Sequence, residues 1–220
     1  MPKVIDHEER RREISDVVLE LISEKGLDGV TLREVAQRSN WSTGVIAHYF
    51  VNRDGLLIEV LRRSASIEAE RQRVIMRDSS GLGAVRALLR DTLPTDTVRV
   101  AIVKTFLFFY IEGVVEPLLR EETRAYLQAW TKIVLKALRQ AQDAGEVCEH
   151  LDAGAVADDL IGVTWGVSVN LIIDDTLAGR IDPETKVEAW IRNFTRCDVC
   201  ESAAAKPGAP GLVVEEAAAL

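Results

Sequence analysis

Proline is scarce in this chain: there are six, and three of them fall in or after the last helix candidate. Long stretches therefore carry no helix breaker. Cysteine is scarcer still. Three cysteines, an odd number, exclude a disulfide scaffold and fit a reducing cytoplasm. No uninterrupted apolar run reaches the roughly 18 residues that crossing a membrane requires. The opening MPKVIDHEERRR is too charged for a secretory signal. The three histidines, at 7, 48 and 150, are scattered, and there is no glycine-rich phosphate loop, so no catalytic set assembles. What is present is 220 residues, 47% of them hydrophobic, enough to bury a sizeable core. Few prolines and long runs without turn signals predict an all-α protein.

Charge is unevenly placed. The formal net charge is -8, which by itself argues against a nucleic-acid partner. Residues 1–77 carry 13 Lys+Arg and 13 Asp+Glu, so the whole excess lies beyond them, where 14 basic residues face 22 acidic ones. A phosphate-facing surface needs local positive charge, not a basic whole protein. Residues 31–63 meet that need modestly, with five Arg against three acids.

Periodicity places the helices. Ile14, Val17, Val18, Leu21 and Ile22 form the apolar stripe of a helix over 8–25, ended by Gly26. Thr31 opens a second helix with Glu34 as its capping-box partner, and Asn40 suits the left-handed turn that follows. Ser42 caps a third helix over Thr43–Phe50, and Asn52 a fourth from Arg53 to about Arg77. Leu56, Leu57, Val60, Leu61, Ser64 and Ile67 give the fourth its inner face. Further helices are expected at Leu82–Leu93, Thr97–Glu116, 119–144, Asp152–Ala178 and 183–196. Three regions result: 1–52 as a helix-turn-helix unit, 53–196 as a second helical unit, which the resemblance described below implies is the ligand-binding and dimerisation domain, and 197–220 as a disordered tail rich in Ala, Gly and Pro.

Residues 31–56, TLREVAQRSNWSTGVIAHYFVNRDGL, have the layout of a DNA-reading helix-turn-helix. A recognition helix presents small or polar groups to base edges. Ser42 and Thr43 supply hydroxyls, Gly44 permits close approach to a phosphate, and Val45 and Ala47 suit thymine methyls. His48 and Tyr49 lie a turn further on. Thr31, Arg33 and Arg53 are placed to contact phosphates, while Ile46 and Phe50 form the core side.

Residues 10–57 resemble the DNA-binding domain of the TetR family of bacterial repressors. Its pattern appears as Val35-Ala36, Ser42-Thr43-Gly44, Tyr49-Phe50 and Arg53-Asp54-Gly55-Leu56. STGVIAHYFVNRDGLL, with the MPK start, is similar to the choline-responsive BetI type. Two departures stand out: Ser39-Asn40-Trp41 replaces the usual Ala-Gly-Val, and Ala47 stands where Tyr is common. The resemblance implies a homodimer on double-stranded DNA with a palindromic operator, released by a small-molecule inducer whose identity the sequence leaves open. It also implies a pocket, for which Phe106, Phe109, Tyr110, Gly113, Trp130 and Trp165 are the candidates. For a choline-like cation, Glu112 is the carboxylate considered. The last two helices would form the dimer interface through Val156, Leu160, Val163, Val167, Val187, Trp190, Ile191 and Phe194, although a monomer core explains the same residues.

Cys197-Asp-Val-Cys200 is a single CxxC and cannot complete a tetrahedral zinc site. No metal, cofactor or catalytic residue is expected. The competing reading is an all-helical enzyme or carrier with an incidental helix-turn-helix.

Overall fold

The computed structural model describes residues 7–27, 30–50, 52–178 and 180–197. Within them, the side chains of residues 53, 54, 118, 175 and 178 fall outside the description, as does the expected tail from residue 198 onward. The described residues form ten helices and no strand. They are α1 (His7–Lys25), α2 (Leu32–Ser39), α3 (Thr43–Tyr49), α4 (Arg53–Asp78), α5 (Gly81–Thr92), α6 (Thr97–Val115), α7 (Pro117–Asp143), α8 (Ala153–Ile173), the single turn α9 (Asp175–Ala178) and α10 (Pro183–Phe194).

Local chemistry sets most boundaries. Thr31 accepts the Glu34 N–H, Ser42 the Val45 N–H and Asn52 the Gly55 N–H. Each satisfies a donor that the first helical turn leaves unpaired. Asn40 closes α2 in the left-handed region at φ 59°. Asp96 caps α6, and Pro117 occupies the first turn of α7, where its missing N–H costs nothing. The helix expected over Asp152–Ala178 is not continuous. It breaks at Asp174, whose carboxylate accepts the Thr176 N–H and hydroxyl at 3.0 and 2.6 Å and starts α9. An aspartate can compete in this way with the helical hydrogen bond.

Three apolar clusters stack along the molecule. In the first, α1, α2 and α3 bury Ile14, Val18, Ile22, Val35, Ile46 and Phe50 together with Leu56 and Val60 of α4. In the second, Leu57 and Leu61 of α4 meet Ile102, Phe106 and Phe109 of α6. In the third, α5, α7, α8 and α10 enclose Leu88, Leu89, Trp130, Val134, Leu138, Leu160 and Trp190. Consecutive residues of α4 thus enter different clusters: Leu56 and Val60 the first, Leu57 and Leu61 the second. The first turns of α4 are shared by the α1–α3 unit and the region beyond it. Ala101 of α6 also reaches into the first cluster.

One helix departs from the hydropathy expectation. α8 is long and apolar enough to cross a membrane by length and composition, with mean hydropathy 1.4 over its most apolar window, of which 28% is buried. Asp158 and Asp159 interrupt the run by residue but not on average. Gly162, Gly166 and Ile173 lie exposed on it.

Candidate nucleic-acid interface and buried ligand cavity

The two faces of α3 separate cleanly. Ile46 is fully buried and Phe50 nearly so, fixing the helix to α1 and α2. Ser42, Thr43, Gly44, Ala47 and His48 are exposed, as are Thr31 and Arg33, while Val45 and Tyr49 are half-buried. Thr31 and Ser42 use an oxygen lone pair as helix caps, which leaves each hydroxyl proton free to donate to a phosphate. Tyr49 is held by a 3.0 Å contact between its hydroxyl and His7 Nδ1, with His48 edge-on to its ring. Trp41 is covered by the Arg10 guanidinium, 3.4 Å from the ring centroid. That stack fixes the turn against the start of α1 and accounts for the tryptophan where a smaller residue is common. Arg38 is occupied by Glu24, with contacts of 3.0 and 2.5 Å, and Lys25 by Glu34. Arg33 forms no ion pair among the described residues. Arg53 starts α4, but its side chain lies outside the description.

A second site lies where α4, α5, α6, α7 and α8 converge. Glu68 of α4 is only 5% exposed, and its carboxylate makes no hydrogen bond among the described residues. The neighbouring carboxylate, Asp91, is saturated: Arg71 donates to it at 2.8 and 2.6 Å, and Arg99 donates to it as well. Burial first, and then the charge of Asp91, push the Glu68 carboxyl up to about 7 against the pull of Arg71. Phe106, Tyr126 and Trp165 line the same cavity, whose volume of about 10 Å³ is room for about one water. Phe106 and Tyr126 stack at 3.8 Å with 18° between their planes. Burial, with Glu68 next, pushes the Tyr126 hydroxyl well above its usual range.

Family models match both parts of the chain: residues 14–60 that of bacterial regulatory proteins of the tetR family, and residues 82–195 that of the C-terminal region of BetI-type transcriptional repressors. The chain belongs to the TetR family. Two relatives named HTH-type transcriptional regulator BetI, from Paraburkholderia phymatum and Burkholderia cenocepacia, are each 37% identical over 123 residues. The match covers 54% of this chain but only 62% and 63% of theirs. Among solved structures, a protein of Saccharomonospora viridis in complex with choline superposes with TM-score 0.73 at 21% identity, covering 84% of this chain and 96% of that one. A Rhodococcus transcriptional regulator gives TM-score 0.72 at 21% identity, covering 84% and 95%. These two share the TetR fold.

Within this TetR fold the expected pocket residues divide. Phe106 and Trp165 do line the cavity. Phe109 is core, and Tyr110 packs on Trp165 at 4.9 Å. Gly113 is a helix crossing: a Cβ there would stand 3.3 Å from the Arg120 backbone, and Arg120 donates to the Gly113 and Val114 carbonyls; with Tyr110 it lines a separate surface cavity of about 260 Å³ between α6 and α7. Trp130 belongs to the third cluster and also lines a groove between α4 and α7. Glu112 is half-buried and does not line the cavity. Sequence reasoning missed Glu68 and Tyr126. The available signal was a lone glutamate on the apolar stripe of α4, one turn after Ser64.

The expected dimer residues are largely taken up by packing within one chain. Val156, Leu160, Val187, Trp190 and Ile191 are at most 7% exposed within one chain, so they have little surface left to give to a second. Val163, Val167 and Phe194 are half-buried against the same core. The face that α8 leaves open runs instead through Ala155, Gly162, Gly166 and Ile173.

Proposed function

We propose that this protein is a homodimeric transcriptional repressor that binds a palindromic operator and is released by a small cationic ligand. The observation that carries the reading is α3. Its inner side is locked into the first cluster by Ile46 and Phe50, and its outer side offers Thr43, Gly44, Ala47 and His48. Ser42, Thr31, Arg33 and Arg53 would grip the flanking phosphates, with Val45 and Tyr49 at the edge of the contact. The reading head is residues 1–52 extended by the first turns of α4, and residues up to 196 form the ligand and dimer unit. The chain acts in the cytoplasm and has no catalytic role.

Reading a palindrome requires a two-fold pair of recognition helices about 34–36 Å apart, or a multiple of that distance. The open small-residue face of α8 is the surface assigned to the second copy, with α10 beside it. Gly162→Leu with Gly166→Leu is expected to shift the protein to monomers in sedimentation. The ligand reading rests on Glu68, a buried carboxylate with no hydrogen bond among the described residues, which shares a cavity with Phe106, Tyr126 and Trp165 as well as with the Arg99–Asp91 pair; carboxylate and rings together suit a quaternary ammonium or similar cation. The choline complex of the Saccharomonospora viridis protein supports that chemistry. Ligand at Glu68 would act on α4, whose first turns are packed into the reading head.

The test is a gel shift on DNA upstream of the protein's own gene at about 0.15 M salt. Specific retardation, relieved by a quaternary ammonium compound, is the expected result. Binding that is wholly non-specific and salt-labile would favour an enzyme or carrier with an incidental helix-turn-helix.

A further inference from the structure

A groove of about 380 Å³ runs between α4 and α7, within the range of about 300–1,000 Å³ typical of ligand sites. Its walls are made low by alanines, Ala65 and Ala69 on α4 and Ala125 and Ala129 on α7, and Trp130 lies at one end. At the other end stands the Arg62–Glu122 ion pair, at 2.6 Å.

Tyr126 lines both this groove and the Glu68 cavity. Its hydroxyl is buried near Glu68 and the residue is half-exposed. Glu68 itself lies on α4 between Ala65 and Ala69. Tyr126 is thus common to the linings of the two spaces. The cavity alone, at about 10 Å³, cannot hold an ammonium head with its methyl groups, and movement of Tyr126, which both linings share, would join it to the groove.

We infer that the α4–α7 groove is a second subsite, and that the ligand is an ammonium cation bearing an apolar chain, its head beside Glu68 and its chain along the alanines. The inference rests on the reading of the Glu68 cavity as a cation site. It separates this protein's ligand class from a bare choline-sized head, because most of the available volume is apolar and lies outside the charged cavity.

The experiment is calorimetric titration of the full chain with tetramethylammonium and with ethyl-, butyl- and hexyltrimethylammonium. Three proteins are compared: the native sequence, Glu68→Gln, and the double variant Ala125→Leu with Ala129→Leu. Those alanines are exposed on α7, so leucine fills the groove without disturbing the core. In the native protein affinity rises about fourfold per added methylene. In the filled variant the gain per methylene disappears. A flat series in the native protein, or a gain that persists in the filled variant, overturns the groove subsite while Glu68-dependent head binding still stands. A series that Glu68→Gln leaves unchanged overturns the cation site itself, and the inference falls with it.

Discussion

Arg63 of α4 holds Asp16 of α1 with two parallel contacts, Nε to Oδ1 at 2.7 Å and Nη2 to Oδ2 at 3.1 Å. The pair spans the seam between the long helix and the reading head, and planar bidentate geometry makes it directional. Both side chains are partly exposed, at 26% and 47%, so solvent screens the attraction. A double-mutant cycle of Asp16→Asn and Arg63→Gln is expected to return a coupling of about 0.5–1 kcal/mol in urea unfolding, falling at high salt. A coupling of zero at low salt would reduce the pair to a surface ornament.

Glu68 gives stability a pH dependence of definite sign. Its carboxyl titrates at about 7 in the folded protein against 4.5 for the ordinary side chain. Between those values the native state keeps a proton that the unfolded chain has lost, so stability falls as pH rises across that window. Below the window the neutral acid costs nothing extra. Above it the loss is complete and on the order of 3 kcal/mol. Glu68→Gln removes this slope, since glutamine has nothing to titrate. Urea unfolding at about pH 5 and about pH 8 measures the difference. The glutamine variant should gain on the native protein far more at the higher pH than at the lower, and an equal difference at both would show that Glu68 does not titrate there.

These two relationships differ in how far they could be read from sequence. Thr31, Ser42 and Asn52 cap helices through donors three residues away, so a local pattern sufficed to place α2, α3 and α4. The inward residues of α1 to α4 followed from helical period, and so did the split between the two faces of α3. Glu68 was invisible for the opposite reason. Its burial exists only because α5, α6, α7 and α8 close over one turn of α4. The open face of α8 was hidden in the same way. Periodicity reported that α8 and α10 are apolar, but it could not tell a stripe buried by α5 and α7 from the small-residue face left open. The break at Asp174 turns on a side chain bonding two residues ahead, a local choice that an uninterrupted apolar run conceals.

Two glycines near the start of α5 should respond to alanine with opposite signs. Gly81 has φ +57°, and a Cβ there would collide with the Glu146 carboxylate. That carboxylate caps α5 by accepting the Leu82 N–H at 2.6 Å. Gly81→Ala is therefore expected to cost about 1–3 kcal/mol through backbone strain and the displaced cap. Gly83, two residues on, sits inside the helix with nothing within 4 Å of an added Cβ. Gly83→Ala should stabilise by about 0.5–1 kcal/mol, because alanine loses less backbone freedom on folding. Thermal unfolding of the two variants side by side checks both, and equal signs would refute the local account.

On the operator, Thr43 and Arg53 should fail differently. Thr43 is exposed in the first turn of α3, where its proposed contact with a base edge or a phosphate would be that of a neutral group. Arg53 opens α4, and its assigned role is to neutralise a phosphate and release a counterion. Both alanine variants are expected to weaken binding. Only Arg53→Ala should flatten the plot of log affinity against log salt, by about one unit for each half-site, while Thr43→Ala lowers the line without tilting it. The two effects are separable because counterion release depends on charge alone and a hydroxyl carries none. If the slope for Arg53→Ala matches that of the native protein, Arg53 is not a phosphate clamp, and the positive charge that draws the head to DNA must come from Arg33 and the arginines at the start of α1.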